Sequence, residues 1–150
     1  MQIRTLTTAD YQAVDRLMAG LHALHVTGRP DLYVPMEHIY RRAYYESLLA
    51  DHIALGAEID GELVGLCICE WRKRTCMVNH ITAYMDDLVV AEPYRGQGVA
   101  KALFRAAEEA AKAGGALRLD LMVWDFNRDA MAFYQAMGMT PQRYILEKKL

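Results

Sequence analysis

The sequence predicts a mixed α/β fold on three observations: two β-rich runs joined by Asp60-Gly61, a strand that enters an alanine-rich helix through a glycine loop, and helical spacing near both chain ends. A length of 150 residues suits one continuous core, so residues 1–150 read as a single domain. The elements follow in order. Ile3 to Leu6 alternates as a short strand, and Thr8 stands as an N-cap before the apolar positions Tyr11, Val14, Leu17, Met18 and Leu21. Gly28-Arg29-Pro30-Asp31 breaks that helix, and Met36 to Ala50 resumes helical spacing through Ile39, Ala43, Leu48 and Leu49.

Ile53 to Ile59 and Leu63 to Trp71 are β-rich, and the Asp-Gly pair between them suits the positive φ angles of a tight hairpin. Tyr84 to Val90 reads as a central strand that leads past Pro93 to a helix from Val99 to Ala113, ended by Gly114-Gly115. Leu117 to Val123 is a further strand, Asp129 to Met137 a short helix closed by Gly138, and Tyr144 to Lys148 a last strand. This order describes a mixed sheet with helices on its faces.

A formal net charge of −2 provides no general attraction to nucleic acid or to an anionic membrane, so neither is expected as a partner. The three cysteines, Cys67, Cys69 and Cys76, are odd in number, and the first two alternate along a strand. They read as reduced thiols, with no second Cys or His pair at zinc-site spacing, and no metal is expected. No apolar run approaches the roughly 20 residues that span a bilayer, and Met1-Gln2-Ile3-Arg4 lacks a signal-peptide pattern, so a cytoplasmic protein is expected.

The segment richest in chemistry is Tyr94-Arg95-Gly96-Gln97-Gly98-Val99-Ala100, between a strand and a helix. Glycines there clear side chains from the turn, so that backbone N–H groups converge on an anion at a helix N-terminus. Its spacing matches neither the dinucleotide fingerprint nor a Walker A loop. The segment resembles the cofactor motif Arg/Gln-x-x-Gly-x-Gly/Ala of the GNAT (Gcn5-related N-acetyltransferase) superfamily, with Arg95, Gly98 and Ala100 at its specified positions. Downstream, Asn127, Ala130, Phe133, Tyr134 and Gly138 resemble that family's Asn-x-x-Ala-x-x-Phe-Tyr-x-x-x-Gly segment. The resemblance covers the chain from about Asp60 onward.

That resemblance implies a GNAT-like fold: a mixed sheet of about six to seven strands, about four flanking helices, and splayed central strands. It implies acetyl-CoA as acetyl donor and a small-molecule or peptide amine as acceptor. It also implies a bulge that splays the central strand from the strand after it and leaves the backbone of Leu88 and Val90 unpaired to hold the acetyl and pantetheine groups. The amides of Gln97, Gly98, Val99 and Ala100 bind the pyrophosphate, with Arg95 and Lys101 nearby. Asn127 orients the pantetheine arm, and Tyr134 protonates the departing sulfur.

Tyr84 to Val90 is similar to the central strand of diamine acetyltransferases, whose acidic pair binds and helps deprotonate a polyamine. Asp86 then serves as proton relay and Asp87 as the acceptor-binding group; a solvated or helix-capping pair is the alternative. His22 and His25 stand three apart on the first helix and read first as solvated side chains. His22 and Tyr33 are the acceptor-side candidates there. Tyr33, Tyr40, Tyr44 and Tyr45 suit an acceptor pocket, packing or a homodimer contact equally well, and a homodimer is expected. Arg72-Lys73-Arg74 reads as a solvated loop. Other acceptors, a protein N-terminus or lysine or an aminoglycoside, stay open. So does a non-catalytic acyl-CoA-binding sensor, against which Tyr134 and Asn127 count.

Overall fold

The structure, a computed structural model, describes residues 1–73, 78 and 81–150; Arg74 and Cys76 lie outside the described residues. Five strands, β1 (Gln2–Thr5), β2 (Ile53–Ile59), β3 (Glu62–Lys73), β4 (Ile81–Val90) and β5 (Ala116–Leu121), form one sheet in chain order. All neighbours pair antiparallel except β4 and β5, which are parallel. The helices are α1 (Tyr11–Gly28), α2 (Arg42–Asp51), α3 (Val99–Ala113) and α4 (Arg128–Ala136).

The expected hairpin is present: Asp60 and Gly61 have φ of 51° and 82°, the left-handed pair that turns β2 back into β3. Three expectations need correction. The sheet has five strands rather than six or seven, because Tyr144 to Lys148 is not a strand. That segment carries its apolar residues consecutively and lies exposed, and among the described residues its one hydrogen bond is from Arg29 to the Glu147 side chain. The second helix starts at Arg42, not Met36. Arg41, the N-cap, keeps an extended backbone with ψ of 144°, and Tyr11 donates its hydroxyl to the Tyr40 carbonyl at 2.9 Å, tying down the chain just before the helix. At the N-terminus, a 3-10 turn (Thr8–Asp10) precedes α1, and Asp10, not Thr8, organises it by accepting from the Thr7 N–H at 2.8 Å.

The sheet separates two apolar layers. Leu66 and Ile68 face α1 and α2, while Cys67 and Cys69 face α3. On α3 the buried positions Val99, Leu103, Phe104, Ala107 and Ala111 keep helical spacing and form the stripe laid on the sheet. Each fully buried leucine or isoleucine contributes about 2–3 kcal/mol.

One irregularity positions everything that follows. Cys69 pairs with Met85 and Ile68 with Asp87, so Asp86 is an extra residue in β4, opposite nothing. Before this bulge Ala83 and Met85 face the α3 layer; after it Leu88 and Val90 do, and Asp87 and Val89 face the α1–α2 side. The bulge therefore reverses the alternation. It also ends the pairing of β4 with β5, which runs only from Ile81 to Met85, so Asp86 to Val90 hold to β3 alone and the two strands part.

Deleting Asp86 would make the ladder with β3 regular and leave Asp87 and Leu88 on the faces they already hold, whereas Asp86→Ala keeps the bulge. Denaturant unfolding is expected to show a loss of under about 1 kcal/mol for Asp86→Ala. A much larger loss would show that the bulge depends on the Asp86 side chain rather than on the extra backbone residue.

Candidate functional site

The end of β4–β5 pairing leaves an opening beside Asp86 to Val90, and Tyr134 of α4, packed on Phe104 of α3, and Tyr40 of the chain leading into α2 both lie near Asp87. Along β4 the Ala91 N–H bonds the Val64 carbonyl at 2.8 Å, so by alternation the peptide groups of Leu88 and Val90 point away from β3 into this opening. The Val90 carbonyl accepts from Arg95 Nε at 3.1 Å. Arg95 thereby braces the end of the strand.

Between them, the loop before α3 turns on Gly96 and Gly98, with φ of 74° and 83°. A Cβ on either glycine would meet no atom within 4 Å, so it is the backbone angle that demands glycine, and the space above the loop is open. Gln97 folds back to donate to the Pro93 carbonyl at 2.9 Å. Gly98 caps α3, and the Ala102 N–H bonds its carbonyl at 3.0 Å. Among the described residues the amides of Val99, Ala100 and Lys101 are left without a helical partner. Aligned donors at the positive end of a 15-residue helix suit a phosphate.

Across the opening stand the acidic pair and Tyr134. Asp86 lies 3.4 Å from Arg72, whose guanidinium also covers the Tyr84 ring at 3.3 Å. Its carboxyl is pushed up to about 6, by burial first; Arg72 draws it back, and Asp87 and Glu70 push it further. Asp87 is largely enclosed and accepts a hydrogen bond from the Tyr40 hydroxyl. Burial raises its pKa and the Tyr40 bond lowers it, with a net rise.

Tyr134 reaches in from α4, its ring 6.3 Å from Phe104 and 5.3 Å from Phe133. Burial raises its pKa, and the nearby Cys67, Asp87 and Cys69 add to the rise, so the phenol stays protonated. Asn127 caps α4, its Oδ1 accepting from the Ala130 N–H at 3.2 Å, which leaves its amide nitrogen as a donor.

The other candidates sit apart. His22 bonds the Val34 carbonyl at 2.8 Å, His25 stacks on Tyr33 at 5.2 Å, and the Tyr33 hydroxyl accepts from the Trp124 indole at 3.1 Å. Among the described residues no hydrogen bond joins them to Asp86 or Asp87. Tyr45 is a core residue bonded to the Thr7 carbonyl at 2.7 Å, and Tyr44 is exposed. Sequence reasoning missed Tyr40 as the partner of Asp87 and Arg72 as the partner of Asp86; Arg72 belongs to β3, not to a loop. Both contacts depend on register and on a loop path that no spacing encodes.

The chain matches the Acetyltransferase (GNAT) family over residues 19–139. It is 31% identical over 96 residues to a thialysine N-epsilon-acetyltransferase of Bos taurus, covering 63% of this chain and 55% of that protein. It is 38% identical over 55 residues to an L-ornithine N5-acetyltransferase of Arabidopsis thaliana, covering 37% of this chain and 24% of the relative. The chain thus spans about half the length of the bovine relative and about a quarter of the plant one. A crystal structure of a mutant BH1408 protein from Bacillus halodurans superposes with a TM-score of 0.95 at 28% identity, covering 100% of this chain and 99% of that one. With the motif loop, the parted strands and the family match in agreement, the chain belongs to the GNAT acetyltransferase family.

Proposed function

We propose that this protein, as one domain over residues 1–150, transfers an acetyl group from acetyl-CoA to a small cationic amine. The observation that carries the reading is the opening beside β4, with free helix-end amides at the start of α3, the partly exposed acidic pair Asp86 and Asp87 on β4, and Tyr134 near both Asp87 and the α3 residue Phe104. The relatives named for thialysine and ornithine acetylation add support, since both names specify acetylation of a side-chain amine.

The donor fits the chain's own groups. The open loop over Gly96 and Gly98 and the amides of Gln97 to Lys101 suit a pyrophosphate, and the peptide groups of Leu88 and Val90 suit the pantetheine amides. The Asn127 amide nitrogen is a further donor for that arm. Bound acetyl-CoA supplies an activated thioester carbonyl.

The acceptor arrives as an ammonium, which Asp87 attracts, and it must lose a proton before its nitrogen can attack. A carboxyl near 6 is mostly ionised at neutral pH yet more basic than an ordinary one, which suits Asp86 to take that proton, directly or through water. As the new C–N bond forms and the C–S bond breaks, Tyr134 gives its proton to the sulfur, leaving an amide and a free thiol. The reading includes a reducing, cytoplasmic setting, which the unbridged buried thiols Cys67 and Cys69, 3.8 Å apart, support. Among the described residues no helix is long and apolar enough to cross a membrane.

Thiol release from acetyl-CoA with a panel of amines tests the assignment. Diamines and cationic amino acids are expected to exceed monoamines with uncharged tails, and Tyr134→Phe to lower turnover by about 10²–10⁴-fold with acetyl-CoA affinity kept. Binding without turnover for any amine would point to a sensor module instead.

A homodimer is part of the proposal. Tyr144, Ile145 and Leu146 are 83%, 76% and 92% exposed, and Leu117 on the outer strand β5 is 77% exposed. Among the described residues nothing pairs with the outer edge of β5, and residues 140–150 make no backbone–backbone hydrogen bond. A second copy would cover both surfaces at once. Sedimentation at micromolar concentration is expected to show a dimer that Leu146→Lys converts to monomer; a monomeric parent protein, or a dimer indifferent to both Leu146→Lys and Leu117→Lys, would refute this.

A further inference from the structure

Tyr40 stands out because its hydroxyl is spent on a single group. It lies in the chain between α1 and α2, 9% exposed, with its backbone carbonyl held by the Tyr11 hydroxyl at 2.9 Å and its ring edge-on to Tyr44 at 5.5 Å. A side chain fixed in this way has one direction in which to donate, and it donates to Asp87 Oδ2. Asp87 Oδ1 has no hydrogen-bond partner among the described residues.

The bulge explains why the two meet. With the extra residue at Asp86, Asp87 turns from the α3 layer to the α1–α2 side, where Tyr40 belongs to the apolar cluster. The groups around the carboxylate are Tyr40 from the loop, Cys67 from β3, Tyr134 from α4 and Asp86 on its own strand. Arg72 is spent on Asp86 and Glu70, and His52 lies near Asp86. Asp87 is thus an enclosed carboxylate with one neutral donor and no cation among the described residues. A charge in that setting needs a partner.

We propose that Tyr40 is a positioning residue of the acceptor site, whose hydroxyl holds one oxygen of Asp87 so that the other faces the cleft and receives the ammonium of the acceptor. This rests on the cationic-amine reading above. Tyr40 touches the carboxylate and takes no part in the bond changes. Its bond favours the ionised carboxylate against burial, so loss of the hydroxyl raises the Asp87 pKa; the acidic limb of kcat/KM then moves to higher pH, and activity recovers above it.

The test uses Tyr40→Phe, which keeps the ring and the contacts of the backbone. Carbon-detected titration of the Asp87 carboxyl, assigned with Asp87→Asn, is expected to show a midpoint about one pH unit higher in Tyr40→Phe. In parallel, KM for a diamine should rise by up to about tenfold on the acidic limb, with kcat at high pH changed less than about twofold. An unmoved midpoint, or a loss of activity equal at every pH, overturns the role of Tyr40 while leaving the preference for cationic amines intact. A moved midpoint with charged and uncharged amines affected alike overturns the cationic-amine reading, and the acceptor role of Tyr40 with it. Thermal unfolding of both proteins confirms that the comparison is between folded chains.

Discussion

The single extra residue in β4 is the constraint on which the rest of the molecule depends. A strand has side chains of period two, so one inserted residue reassigns every later side chain to the other face. Asp86 does this in the middle of the sheet. It delivers Leu88 and Val90 to the α3 layer, sends Asp87 to the α1–α2 side, and coincides with the point where β5 ceases to pair. Were Asp86 paired regularly instead of bulged, Asp87 would lie in the apolar α3 layer.

The chemistry follows from what the parted strands bring together. Helix α3 begins beside the opening because the chain leaves β4 through a short glycine turn, so its unpaired amides and positive end sit next to exposed strand peptides. Helix α4 brings Tyr134 from the same layer, and the loop before α2 brings Tyr40 from the other. Two phenols thus approach one acidic pair from opposite sides, with different tasks. Burial keeps Tyr134 protonated for donation to a leaving group, while Tyr40 uses its proton to steady a carboxylate. The same burial separates the carboxylates. Asp86 is one-third exposed and shares Arg72, whereas Asp87 is enclosed and depends on a neutral donor.

Much of this was legible in the sequence where chemistry is local. Asp60-Gly61 announces its hairpin because only a few residues tolerate the required angles, and the loop from Tyr94 to Ala100 announces an anion site because its glycines and helix start are contiguous. Helix α3 and strand β2 fall at their expected limits for the same reason. What depended on distant pairing was not legible. The apolar run at Tyr144 to Leu146 looks like a strand in composition, yet composition does not decide whether a run reaches a sheet edge, and here it stays unpaired beside an open outer edge of β5. The partners of Asp86 and Asp87 come from 14 and 47 residues away, through register and a loop path. The bulge could be expected only through the family resemblance, since Asp86-Asp87 reads locally as two ordinary strand residues.

Hydrogen exchange on the folded protein with and without acetyl-CoA is the most direct test that the parted strands and the α3 end form one donor site. Saturating acetyl-CoA should slow exchange at the amides of Gly98 to Lys101 and at Leu88 and Val90, while amides of β1 and of α1 keep their rates. Unchanged rates at both the loop and the β4 amides under saturation, or protection confined to other elements, would contradict the account.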